Sequence, residues 1–162
     1  MTRDSVFKKR LLKLVKLLKT VPNKQFDFST WVGDDWKGKK DLSCGTTACA
    51  LGWATTIPSL RKKGLRLFRG KEDGKDHWDS YGYVGLRDSL LDAAEAPQEA
   101  AREIFGLTSE EFGYLFTPSG GIDLTDYTGK SNSLAYSPDE GASAKEIARH
   151  IKNFVKLKYP NK

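Results

Sequence analysis

Cys44 is the residue whose type and position best fit covalent chemistry. It stands at the start of a predicted short, largely buried helix over residues 44–54, with the sequence CGTTACALGWA, and Gly45 follows it. Amide hydrogens and the helix dipole at such a start stabilise a thiolate and lower the thiol pKa. A cysteine nucleophile also needs a general base, and the chain contains two histidines, His77 and His150. One hypothesis is therefore a cysteine-dependent hydrolase or transferase that uses Cys44 with one of them.

The same segment has two other interpretations. In the first, Cys44 is a small buried side chain at a tight helix start, where small neighbours let other backbone approach closely. In the second, the amides at the helix start bind an anion, such as a phosphate group of a nucleotide or a nucleic acid. The residues predicted to form that ligand site are Lys39, Lys40, Cys44, Gly45, Thr46 and Thr47.

Tryptophan side chains offer a further kind of binding surface, because aromatic rings stack on nucleobases. Trp36 and Trp78 lie in polar stretches of sequence, so we expect them to be exposed and available to a ligand. Trp31 and Trp53 have apolar neighbours and are expected to anchor the core.

No pattern of ligands predicts a metal site or a cofactor. Cys44 and Cys49 are five positions apart in the chain, and no second Cys or His pair accompanies them at the spacing of a zinc site. We therefore predict neither zinc nor any other bound cofactor.

The elements that position these residues are those of one α+β, mainly helical domain over residues 1–162, with about five or six helices and a small β-hairpin. Apolar residues recur at helical spacing over residues 5–19 and 144–158, and cations occupy the remaining positions. Apolar residues around Leu65 and Tyr83 predict the two strands of the hairpin.

Helix boundaries are predicted most clearly in the second half of the chain. Residues 86–96 are expected to form one helix, and Pro97 to open another that ends at Gly106. The sequences TSEE from Thr108 and SAKE from Ser143 are capping boxes that begin two further helices. Residues 117–142 are rich in Gly, Ser, Asp and Pro, which predicts a long irregular loop.

Positive charge is concentrated at both ends of the chain. The formal net charge is +6, while residues 1–19 hold seven Lys or Arg and one Asp, and residues 143–162 hold six Lys or Arg and one Glu. The middle of the chain is therefore acidic. These cations have three interpretations: solvent-exposed faces of two surface helices, a surface for nucleic acid or another polyanion, or a first helix that lies on a membrane.

The expected location is the cytoplasm, and we predict no membrane partner. No apolar run approaches the roughly 18 to 20 residues that span a bilayer. Lys residues interrupt the apolar positions near the N-terminus, unlike a secretory signal. The low cysteine content also fits a reducing compartment. The oligomeric state is left open by the sequence.

The segment Cys-Gly-Thr-x-x-Cys-x-x-Gly-Trp, over residues 44–53, resembles a family of small, functionally uncharacterised bacteriophage and prophage proteins. The stretch FDFSTW at residues 26–31 and the closing helix also fit that pattern. The resemblance implies a phage-type origin, hence the cytoplasm of a host cell, and no mechanism. By analogy of lifestyle it implies a protein that acts by binding.

Our leading prediction is accordingly a non-enzymatic accessory protein that binds a host macromolecule or a nucleotide-like ligand, in the manner of proteins that counter host defence. The first alternative is the enzyme that uses Cys44. The second is a nucleic-acid-binding protein that uses the two basic terminal helices.

Overall fold

The computed structural model describes residues 2–33, 36, 42, 46–69 and 82–160 of the chain. These residues form seven α-helices, a short 3-10 turn (Asn23–Gln25) and two antiparallel two-stranded sheets, which confirms the predicted α+β, mainly helical class. The helices are α1 (Arg3–Leu18), α2 (Ala50–Ala54), α3 (Pro58–Arg61), α4 (Ala96–Phe105), α5 (Ser109–Phe116), α6 (Thr125–Thr128) and α7 (Ala144–Lys158). The strands are β1 (Leu65–Arg69), β2 (Gly82–Leu86), β3 (Gly121–Asp123) and β4 (Leu134–Tyr136).

The two basic helices, α1 and α7, pack against each other through their apolar faces. Each buries a row of apolar side chains at helical spacing: Phe7, Leu11, Leu14, Val15 and Leu18 in α1, and Ile147, Ile151, Phe154 and Val155 in α7. The Nζ of Lys8 donates to the carbonyl of Tyr159 at 3.2 Å, so the first half of α1 lies beside the end of α7. The predicted capping box opens α7, where Ser143 and Glu146 exchange hydrogen bonds.

The hairpin of β1 and β2 is confirmed, with Leu65 opposite Leu86 and Arg69 opposite Gly82. The rings of Phe68 and Tyr83 stack on it with centroids 5.6 Å apart. Helix α4 packs against β2, and α3 immediately precedes β1. The hairpin therefore connects the helices of the two halves of the chain.

The predicted boundaries of α4 and α5 are also confirmed. Helix α4 ends at Gly106, whose φ of +67° is the left-handed conformation that glycine adopts without strain. Thr108 and Glu111 form the capping box of α5.

Two predictions in this half of the chain are wrong. Residues 86–96 do not form one helix, because Leu86 ends β2 and regular helix begins only at Ala96. Between them, Oδ1 of Asp92 accepts from the amides of Ala94 and Glu95 at 2.9 and 3.2 Å, which favours a turn. Residues 117–142 are not an irregular loop throughout, since β3, α6 and β4 lie within them.

Candidate functional site

The helix predicted over residues 44–54 begins later than expected. Its regular part is α2, which starts at Ala50, and Cys49 rather than Cys44 is its N-cap. Ala48 instead forms a parallel β-bridge with Phe26. The prediction that Thr46 and Thr47 lie in the first turn of this helix is therefore wrong.

The amides of Ala48 and Cys49 are already paired. The amide of Ala48 donates to the carbonyl of Gln25 at 3.2 Å, and that of Cys49 donates to the carbonyl of Thr30 at 2.8 Å. These hydrogen bonds satisfy donors that a phosphate would otherwise use. Thr46 is buried, and the carbonyl of Thr47 accepts from the amide of Gly33 at 2.7 Å. The described part of this segment is thus packed against residues 25–33.

Cys49 is a structural side chain at the start of α2. It is 1% exposed, and its Sγ accepts from the amide of Gly52 at 3.5 Å. Burial raises the pKa of this thiol to about 12, so it stays protonated and unreactive near neutral pH.

Trp36 does not form the exposed binding surface that the sequence predicts. The side chain of Trp36 is 8% exposed. Its ring packs against the start of β2, where a Cβ added to Gly82 would lie 2.9 Å from Cε3 of Trp36. Six of the predicted site residues lie outside the described residues and stay predictions: Lys39, Lys40, Cys44, Gly45, His77 and Trp78.

His150, the other candidate base, is directed toward α5. Its Nε2 lies 2.8 Å from the carbonyl oxygen of Tyr114, which only accepts, so Nε2 carries a proton and donates. The two rings meet edge to face at 4.4 Å. Burial lowers the pKa of His150, against the opposing effect of the hydrogen bond to Tyr114. His150 is therefore a neutral packing residue at pH 7.

α1 and α7 each carry a row of exposed cations. Both helices expose cations at intervals of three or four residues, which places those of each helix on one stripe. We define the basic face by these exposed side chains: Lys9, Lys13, Lys16 and Lys19 from α1 and its C-cap, and Lys145, Arg149, Lys152 and Lys156 from α7. Exposed acids on the two helices are Asp4 and Glu146, so the basic face has a large excess of positive charge.

Two less exposed cations of the terminal helices bind backbone carbonyls at the end of α4. Arg10 Nη1 donates to the carbonyl of Ile104 at 2.7 Å, and Lys158 Nζ donates to the carbonyl of Gly106 at 3.0 Å. Both carbonyls lie at the C-terminal end of α4, where the helix dipole favours positive charge. Arg10 and Lys158 thus stabilise the end of α4, while the residues of the basic face are exposed to solvent.

A buried ion pair fixes the end of α7 against α5. Nζ of Lys158 lies 2.6 Å from Oε2 of Glu111, whose side chain is 1% exposed. The same carboxylate accepts from the amide of Thr108 at 2.8 Å and from the hydroxyl of Tyr127 at 2.5 Å. Burial and the neighbouring carboxylate raise the pKa of Tyr127, which therefore remains a donor. The capping-box pattern identified Glu111, but no sequence signal revealed Lys158 as its partner.

Sequence reasoning also missed a basic depression between α3 and β1. Arg61, Lys62 and Arg66 line it, and the run of cations at residues 61–63 was the available signal. A second depression, beside α4, is lined by Glu95 and Glu99 as well as Arg102 and is less suited to an anion.

Among the described residues, no group of three or more His, Cys, Asp or Glu side chains is placed to hold a metal ion. No helix in the same ranges is long and apolar enough to cross a membrane. Comparison of the chain with protein-family models, curated proteins and solved structures finds no match. The function must therefore be argued from the residues of this chain.

Proposed function

We propose that this protein is a non-enzymatic nucleic-acid-binding protein that uses the basic face of α1 and α7. The observation that carries the proposal is the row of exposed cations along each of these two long helices, which come from opposite ends of the chain and pack on each other. Exposed Lys and Arg side chains bind phosphates and release the counterions condensed on nucleic acid. A host nucleic acid is then the macromolecule bound.

The same geometry favours a polyanion over a single small anion. The cations of the basic face span residues 9–19 and 145–156, and helical residues rise about 1.5 Å each, so each stripe is about 16 Å long. Duplex DNA carries one charge per roughly 1.7 Å of its axis, so it offers many phosphates over that length.

The resemblance to small phage proteins supports a binding role and a place in the cytoplasm of a host cell, and we keep the phage origin as part of the proposal. Counter-defence by a protein of this kind would consist of occupying nucleic acid that a host factor needs. The paired amides of Ala48 and Cys49 weigh against a nucleotide site at the start of α2. The burial of Trp36 gives no support to a stacked nucleobase at that residue. The contact of His150 with Tyr114 gives no support to His150 as a catalytic base.

The test compares two variants with the same net charge. The face variant replaces Lys9, Lys16, Arg149 and Lys156 with Gln, and the matched control replaces Lys24, Arg87, Arg102 and Lys130 with Gln, which removes exposed cations outside the basic face. Binding of a fluorescent duplex is measured by anisotropy between about 50 and 200 mM salt. The plot of log affinity against log salt should be flatter in the face variant by about 0.9 for each phosphate that the variant no longer neutralises.

The control variant should keep the wild-type slope and an affinity within a few-fold of wild type. Equal losses of affinity in the two variants would mean that only net charge matters and would contradict the basic face. Wild-type protein that binds no duplex at low salt would overturn the proposed function itself.

A further inference from the structure

We propose that the depression between α3 and β1 binds one nucleotide unit of a single-stranded nucleic acid. This inference rests on the proposed function and deepens it, because it adds a preference among nucleic acids. The depression has a volume of about 540 Å³ and is lined by Leu42, Thr56, Pro58, Arg61, Lys62 and Arg66. We call it the α3 pocket.

The residues that line the α3 pocket are of two main kinds, cationic and apolar. Among the described residues that line it, three are cations, Arg61, Lys62 and Arg66, and none is an acid. Leu42 and Pro58 supply apolar surface beside them. A ligand that satisfies both parts carries negative charge and a flat or apolar group within one small unit. A nucleotide, with a phosphate and a base joined by a sugar, has that composition.

Arg66 is held in place before any ligand arrives. Its Nη1 donates to the carbonyls of Arg61 and Leu65, at 2.5 and 2.8 Å. Within the described residues, the Nε and Nη2 donors of the same guanidinium have no hydrogen-bond acceptor. A fixed guanidinium with free donors suits a phosphate, because little side-chain entropy remains to be lost on binding. Arg66 is therefore the anchor expected for the phosphate.

The α3 pocket is connected to the basic face through a direct contact. Nζ of Lys13, a member of that face, donates to Oγ of Ser59 on α3 at 3.1 Å. Ser59 precedes Arg61 and Lys62 by only two and three residues. A strand whose phosphates lie along α1 therefore passes near α3 where Lys13 contacts Ser59, two residues in the chain from the pocket cation Arg61.

The apolar part of the pocket distinguishes a single strand from a duplex. In a duplex the bases are stacked and paired, so their faces are not available to Leu42 and Pro58. A single strand can turn one base outward, because it has no pairing to break at that position. Phosphate contacts along the basic face serve both forms, whereas the α3 pocket adds affinity only for the single strand.

The experiment uses a pocket variant, Lys62→Gln with Arg66→Gln, and a matched control, Lys63→Gln with Arg69→Gln. The control removes two exposed cations close by in sequence that do not line the pocket. Each protein is titrated with an oligothymidylate of roughly 20 nucleotides, longer than typical single-strand site sizes, and with a duplex of equal length. Thermal melting confirms folding, and Lys62→Glu, at an exposed side chain, replaces the double variant if that one does not fold.

We expect the pocket variant to bind the single strand at least tenfold more weakly than wild type, with a salt slope smaller by about 0.7, from the one phosphate of the bound unit. Its duplex affinity should change less than threefold, and the control should behave as wild type with both ligands. Equal losses of affinity for single strand and duplex, or equal losses in pocket variant and control, would overturn the α3 pocket as a single-strand site.

A further measurement distinguishes binding of a single strand from binding of a free nucleotide. Thymidine monophosphate is titrated under the same conditions, and we expect it to bind wild type at least tenfold more weakly than the oligothymidylate. Equal affinity would overturn the single-strand proposal and identify a free-nucleotide site. The proposed function is tested separately, because it fails if the face variant binds the duplex no more weakly than its matched control or if wild type binds no duplex.

Discussion

Replacing Lys158 with Met tests whether the buried ion pair with Glu111 holds the end of α7 in place. The two side chains are 18% and 1% exposed, and Nζ and Oε2 are 2.6 Å apart. Removing one partner of a buried pair typically costs about 3–5 kcal/mol, because the other charge is left uncompensated. Glu111 would keep its hydrogen bonds from Thr108 and Tyr127, so we expect the lower end, about 3 kcal/mol.

Urea denaturation followed by circular dichroism measures this loss of stability. With an m-value of about 2 kcal/mol/M, a loss of about 3 kcal/mol lowers the midpoint by about 1.5 M. Lys156→Met is the control, since Lys156 is exposed on the same helix, and its effect should stay within about 0.5 kcal/mol.

A second variant distinguishes the effect of the buried charge on stability from the effect of side-chain shape. Lys158→Met with Glu111→Gln removes both charges, and Gln at this position can still close the capping box of α5. The double variant should recover at least about 1 kcal/mol relative to Lys158→Met, because no charge remains buried without a partner. The reasoning is refuted if Lys158→Met costs less than about 1 kcal/mol, or if the double variant is no more stable than the single one.

Two further predictions concern packing and pH. Gly106→Ala should destabilise the protein by about 1–3 kcal/mol more than Gly129→Ala in the same urea assay, because both glycines have a φ of +67° but only at Gly106 would the new Cβ meet Phe7, at 2.3 Å. His150 has a lowered pKa in the folded protein, so it contributes stability above its unfolded pKa of about 6.5 that is lost as pH falls. His150→Gln should therefore lose less stability than wild type between about pH 7 and 5, and an equal loss in both proteins would contradict this assignment.

Local signals in the sequence were sufficient where a few neighbouring residues determine the backbone. The Thr108 and Ser143 capping boxes, and Gly106 at the end of α4, were predicted because each acts through hydrogen bonds or a backbone angle within its own turn. The faces of α1 and α7 followed from apolar spacing for the same reason.

Local signals failed where residues distant in the chain decide the structure. Ala48 and its neighbours have the composition of a helix, but the bridge to Phe26 holds them extended and delays α2 until Ala50. Trp36 has polar neighbours in sequence, yet it packs at the start of β2, more than 40 residues away. Tertiary contacts override local propensity in both cases.

The proposed basic face also depends both on local sequence signals and on contacts between residues distant in the chain. Each stripe of cations was visible in the sequence, but the packing of α1 on α7 through their apolar faces was not. Cations of like sign on adjacent helices repel one another, which opposes folding. Apolar burial offsets that repulsion in the free protein, and a bound polyanion would remove it. The charge that makes the basic face unfavourable for stability alone is thus the property that makes it suitable for nucleic acid.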